Sequence, residues 1–140
     1  MSLPPATLRP LSRQVWVTGQ VTPGQVSDLR GAGFTCLVNH RPDDEEPGQP
    51  SAAEIARACA EAGLAVVHAP ARGLPDPAAV AATRAVLDSL GESDKALFFC
   101  RSGMRSAAAW AMAERQAGAD PAQLRQAAAA AGYDLGRVPL

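Results

Sequence analysis

Cys100, Arg105 and Ser106 are the residues of this 140-residue chain whose types and spacing best suit chemistry. They sit in the stretch Ala96-Leu97-Phe98-Phe99-Cys100-Arg101-Ser102-Gly103-Met104-Arg105-Ser106. It reads as a short apolar strand, a tight loop, and the start of an Ala-rich helix running to about Gly118. A cysteine at the carboxyl end of a strand, facing the first amides of a helix, sits where the dipole and unpaired N–H groups favour negative charge. Such a setting lowers a thiol pKa from about 8.5 to roughly 3.5–7.5, which makes a nucleophilic thiolate near neutrality. Arg105 adds a fixed cation whose fork suits an oxyanion. Arg101, Ser102, Gly103 and Met104 form the anion-binding loop, and Gly103 tolerates the positive φ that an amide nest needs. The alternative is a buried structural cysteine beside a surface arginine. The strand–Cys–loop–Arg–helix order favours an activated nucleophile beside an anion binder.

The remaining elements must hold that loop in place. Gln14–Thr18 is a first strand ended by Gly19. Thr22-Pro23-Gly24-Gln25 is a capping box opening a helix, with Val26, Leu29 and Ala32 as its buried stripe. Phe34–Asn39 is a nearly continuous apolar strand, fit to be covered on both faces, and Cys36 belongs to its core. Ser51-Ala52-Ala53-Glu54 opens a helix to Ala62, with Gly63 as its stop and Cys59 on its inner face. Leu64–His68 is a third strand. Asp76-Pro77 starts a helix with Val80, Thr83, Leu87 and Leu90 inward, and Asp120-Pro121 starts the last one. The order β-α-β-α-β-α-β-α-α implies an α/β domain, a parallel sheet between helices, over residues 14–140 after a tail at 1–13. Ligands of such sheets bind beyond the carboxyl ends of the strands. Four loops therefore converge on one rim: 18–22, 40–50, 69–75 and 100–105.

Bulk composition narrows the function classes. A net charge of −1 with no basic block gives nucleic acid no electrostatic footprint. No apolar run is long enough to span a membrane, and the first residues lack the core of a signal peptide, so a cytoplasmic protein is expected. Three cysteines without metal-type spacing fit a reducing compartment better than a disulfide framework. His40 and His68 without partner spacing make no metal site, and no cofactor is expected.

Thr18-Gly19-Gln20, the run from Asn39 to Pro50 and Cys100–Ser106 together resemble the beta-lactamase-hydrolase-like, phosphatase-like family, over roughly residues 12–135. The resemblance implies the fold of dual-specificity cysteine phosphatases: a four-stranded parallel sheet in order 1-4-2-3, with the Cys100 strand in the middle. It also links some members to sulfur transfer. Two departures from cysteine phosphatases stand out. Phe99 replaces the histidine before the cysteine, and four residues rather than five separate Cys100 from Arg105. That shorter loop resembles the loop of bacterial rhodaneses, whose cysteine carries a persulfide.

Ester cleavage by a thiolate needs a proton donor for the leaving alkoxide. Asp76 is the candidate by position, although Asp-Pro at a helix start is also an ordinary N-cap. Asp43, Asp44, Glu45 and Glu46 could supply the acid instead, or be solvated or paired with Arg41. By analogy with phosphatases, Ser106 would hydrogen-bond the thiolate or the leaving group. His40, Arg41, Asp43 and Arg72 are possible rim residues. The favoured expectation is a sulfurtransferase that loads Cys100 from a small anionic donor such as thiosulfate or a persulfide. The alternative is a phosphatase acting on phosphate esters through phosphocysteine, and the lesser one a non-catalytic anion-binding module.

Overall fold

The computed structural model describes residues 7–140. Its strands are β1 (Arg9–Pro10), β2 (Val15–Thr18), β3 (Cys36–Asn39), β4 (Ala65–His68) and β5 (Ala96–Phe99). Its α-helices are α1 (Val26–Gly31), α2 (Ala52–Ala62), α3 (Pro77–Ser89), α4 (Met104–Gln116) and α5 (Pro121–Ala130), with a 3-10 turn at Pro23–Gln25 leading into α1.

The sheet runs β1-β2-β5-β3-β4. Its four parallel strands follow the expected 1-4-2-3 order, with β5 between β2 and β3. The expectation of a purely parallel, four-stranded sheet needs correction. Arg9–Pro10 adds a fifth strand, antiparallel to β2, so the sheet is mixed. The reading of 1–13 as a tail changes with it. Arg9–Pro10 pairs with Trp16 and Val17, and Leu11 is buried in the core, while residues 1–6 lie outside the described residues. A proline is tolerated there because an edge strand has a free side that asks for no N–H.

Two cores flank the sheet. Val15, Val17, Val38, Ala96 and Phe98 face α3, α4 and α5, where Val86, Trp110 and Leu124 meet them. Leu37, Leu97 and Phe99 point the other way, against Val26 and Leu29 of α1 and Ile55 and Cys59 of α2. This is the period-2 alternation of a strand covered on both faces. All four residues of β5 are buried. Cys36 and Cys59 belong to these cores, and burial pushes both thiols up to about 11. Ala32, expected in the α1 stripe, falls just past the helix and is exposed.

The caps set where the loops begin. Thr22 and Gln25 form the expected box, with the Thr22 N–H donating to Gln25 Oε1 at 2.9 Å. Ser51 caps α2 by accepting the Glu54 N–H at 3.1 Å, and Gly63 ends it in the left-handed conformation. Asp76 and Asp120 cap α3 and α5 in the same way. Each such cap contributes about 1 kcal/mol and fixes the register of the loop before it.

Candidate active site

Cys100 follows β5 and is fully buried. Its sulfur accepts the Gly103 N–H at 3.1 Å, so the loop turns at least one amide onto the thiol. Gly103 has φ +98°, and a Cβ there would collide with the Tyr133 hydroxyl, so only glycine fits. Tyr133 braces the loop from outside by donating to the Ser102 carbonyl at 3.0 Å. Gly19 braces it from β2. A Cβ there would sit 2.9 Å from the Arg101 carbonyl, and the Gln20 N–H donates to that same oxygen at 3.3 Å. α4 begins immediately after the turn, so its positive end lies at the sulfur.

Arg105 sits in the first turn of α4, mostly buried and tightly held. Its Nη1 donates to Glu45 Oε2 at 2.8 Å and to the Ala71 carbonyl at 2.7 Å, while Nη2 donates to Glu45 Oε1 at 2.9 Å. A guanidinium has five N–H groups. This arrangement uses both on Nη1 and one on Nη2, leaving Nε and the second Nη2 hydrogen as a side-on fork. The hydrogen bonds to Glu45 outweigh burial in raising the Arg105 pKa, and its Coulombic attraction to Cys100 raises it further. The geometry aims one fork at a carboxylate and leaves the other for an anion at the sulfur.

The acid-rich loop closes on Arg41, which is buried. Arg41 Nε donates to Glu45 at 2.9 Å, Nη2 to Glu46 at 2.8 Å and Nη1 to Gln20 at 3.0 Å. Hydrogen bonding to Arg105, then to Arg41, holds the Glu45 carboxyl down at about 2. Glu45 is therefore ionised at neutral pH and has no proton to give a leaving group. Glu46 is lowered too, first by its hydrogen bond from Arg41.

His40 is fully buried behind the loop, between two hydroxyls. Nε2 lies 2.9 Å from Thr83 Oγ1 and Nδ1 lies 2.8 Å from Ser106 Oγ. Thr83 gives its own proton to the Ala79 carbonyl at 2.8 Å, so its oxygen accepts from His40 Nε2–H. His40 Nδ1 then accepts from the Ser106 hydroxyl. Burial, then the charges of Arg105 and His68, hold the imidazole down at about 3, so it is neutral. In this arrangement the Ser106 proton goes to His40, not to the sulfur.

Several other expected site residues are committed elsewhere. Asp76 is exposed and accepts the Ala79 N–H at 2.9 Å. Asp43 accepts the Ala52 N–H at 2.8 Å, bonding the start of α2. Arg41 does not widen the positive rim, because it is buried and its charge is met by Glu45 and Glu46. His68 donates to the Arg41 carbonyl at 2.8 Å. Arg72, Arg101, Met104 and Arg105 do share one cleft, of about 760 Å³, together with Glu45 and Arg137. The sequence marks Thr83 only as an inward residue of its helix and Gln20 only within the stretch that carries the resemblance, and it does not mark Tyr133 or Arg137 at all, because no local pattern shows a partner brought in from a distant element.

The family described as "Beta-lactamase hydrolase-like protein, phosphatase-like domain" matches residues 7–119. A beta-lactamase hydrolase-like protein of Xylella fastidiosa is 29% identical over 91% of this chain. The chain spans 24% to 30% of the length of the curated relatives it matches. Among solved structures, a candidate phosphatase of Neisseria meningitidis is similar at 26% identity and TM-score 0.77, covering 94% of this chain and 92% of that one. A kinase-associated phosphatase with its catalytic-site cysteine changed to serine has the same fold at TM-score 0.69 and 17% identity, over 86% of this chain and 79% of that one.

Proposed function

The chain belongs to the beta-lactamase hydrolase-like, phosphatase-like family, and from that premise we propose that it cleaves small phosphate monoesters with Cys100 as nucleophile. The observation that carries the reading is the sulfur held by the Gly103 amide beside an arginine with one free fork. The thiolate attacks phosphorus, and an S–P bond forms as the P–O bond to the leaving group breaks. The Arg105 fork and the loop amides hold the charge on the phosphoryl oxygens. Water then cleaves the S–P bond, releasing inorganic phosphate and returning the thiolate.

Glu45 is ionised and gives no proton to the leaving oxygen, and Asp76 is engaged through Oδ1 as the cap of α3. Substrates whose leaving group departs as a stable anion, such as aryl phosphates, are therefore preferred over alkyl ones. The test is phosphate release from nitrophenyl phosphate. Release that vanadate blocks and that falls at least about 10³-fold in Cys100→Ser supports the reading. Absence of release, or full release by Cys100→Ser, overturns it.

Sulfur transfer is the second reading, favoured by the four-residue loop and by the lack of a free acid. The thiolate would attack the outer sulfur of thiosulfate, forming an S–S bond as sulfite leaves, and a thiol or cyanide would then take that sulfur. An intact mass raised by one sulfur after thiosulfate, and unchanged in Cys100→Ser, would support it. If both assays stay silent while the loop still binds an oxyanion, the chain is an anion-binding module.

A further inference from the structure

Leu74 is the one large apolar side chain that stands exposed among the described residues, at 54%. It does not face open solvent at random. It lines the cleft that contains Arg105, next to Pro75, Met104 and Val138. An isolated exposed leucine needs no explanation, but one that continues an apolar wall in the cleft of Arg105 does.

The same cleft holds cations with nothing to neutralise them. Arg72 and Arg137 line it, and neither has a hydrogen bond or ion pair among the described residues. Arg101 meets only the edge of Glu46, at 3.6 Å. The one carboxylate in the lining, Glu45, is already paired with Arg105 and Arg41. The cleft is thus positive at its rim and apolar along its wall.

Its size adds a third constraint. About 760 Å³ is the volume of a site for a ligand with an organic body. A bare phosphate or thiosulfate would fill only the corner at Arg105.

We propose that the substrate is an organic phosphate monoester with an apolar, preferably aromatic, body and a second anionic group. The phosphate sits on the Cys100 loop, the body lies on Leu74, Pro75 and Val138, and the second anion reaches Arg72 and Arg137. The proposal rests on the phosphatase reading for the identity of the first group, and adds what the rest of the cleft selects.

Phosphonates bind as stable analogues because their P–C bond is not cleaved, so binding can be read on the unaltered chain. Titration calorimetry with phenylphosphonate, biphenylphosphonate and carboxybiphenylphosphonate gives three affinities. Each extension is expected to tighten binding by about tenfold. Leu74→Asp should shrink the gain from the second ring to under about twofold, and Arg137→Ala should do the same to the gain from the carboxylate.

The failures are distinguishable. If phenylphosphonate itself does not bind at millimolar concentration, the oxyanion loop is misread, and both the phosphatase reading and this one fall. If phenylphosphonate binds but the extensions add nothing, the substrate class alone is wrong. Gains that survive both substitutions would also overturn the proposal, because the extra contacts would then lie outside this cleft.

Discussion

Two polar loops lie side by side at the carboxyl edge of the sheet, and they spend their polar groups in opposite ways. The loop at 100–105 follows β5, and the acid-rich loop at 40–50 follows β3, with Asn39 and Phe99 in register. The acid-rich loop has the greater charge, yet it is closed. Arg41 is buried, with Glu45, Glu46 and Gln20 on its three nitrogens, and Asp43 bonds the start of α2. The cysteine loop has fewer charges and is open, with an amide on a sulfur and the second fork of Arg105 free of any carboxylate. Donors that a ligand can reach, rather than density of charge, separate the two loops: Arg105 lines the cleft and Arg41 does not. Glu45 joins the two, because one carboxylate faces both arginines.

The contrast breaks most severely at Arg105. Arg105→Lys keeps the charge but loses the two-fork geometry, so kcat/KM on nitrophenyl phosphate should fall about 10²-fold. A loss under about threefold would mean that the fork is not aimed at substrate.

Glu45→Gln tests whether the closed loop orients the open one. It keeps the shape but removes the charge, and kcat should fall about tenfold while the fold persists. The same variant has a stability signature. The folded-state Glu45 pKa lies below its ordinary value of 4.5, at about 2. Its contribution is therefore full above about pH 4.5 and is lost as pH falls toward 2. Glu45→Gln should flatten that part of a urea-midpoint profile.

His40→Phe sharpens the comparison from beneath. It leaves the Ser106 hydroxyl buried without its acceptor, at a cost of about 1–3 kcal/mol. His40 ordinarily titrates at 6.5 but is held at about 3 when folded, so the unfolded chain takes up its proton first. The wild-type chain should lose stability as pH drops from 6.5 toward 3, and His40→Phe should lose less over the upper part of that window.

Asp76→Ala is expected to have the smallest effect on catalysis. Losing the cap costs about 1 kcal/mol in urea denaturation, while kcat stays within about twofold. A much larger drop in kcat would return Asp76 to the role of general acid.

Much of this molecule is legible in its residues, and the division follows range. Caps are local, so Ser51 with Glu54, and Asp76 and Asp120 with their prolines, mark where their helices begin. The alternation of Ala96, Leu97, Phe98 and Phe99 between two cores follows from strand geometry. The Cys100–Arg105 spacing marks the proposed anion site because both residues belong to one strand–loop–helix turn. What cannot be read locally is which distant group completes a bond. Arg41 looks like a rim cation until Gln20 and two glutamates close on it. His40 ends a strand, and only packing brings Thr83 and Ser106 to its two nitrogens. A two-residue strand containing Pro10 carries no periodicity at all.

The most direct test is alkylation of the intact chain by iodoacetate at neutral pH, mapped by peptide mass with and without vanadate. All three cysteines are buried, but only the sulfur of Cys100 accepts a loop amide and lies in the field of Arg105, and burial holds the thiols of Cys36 and Cys59 at about 11. The expected result is modification of Cys100 alone, slowed by vanadate. Equal labelling of the three cysteines, or labelling of Cys100 that vanadate leaves unchanged, would contradict the assignment of that sulfur as an anion-site nucleophile.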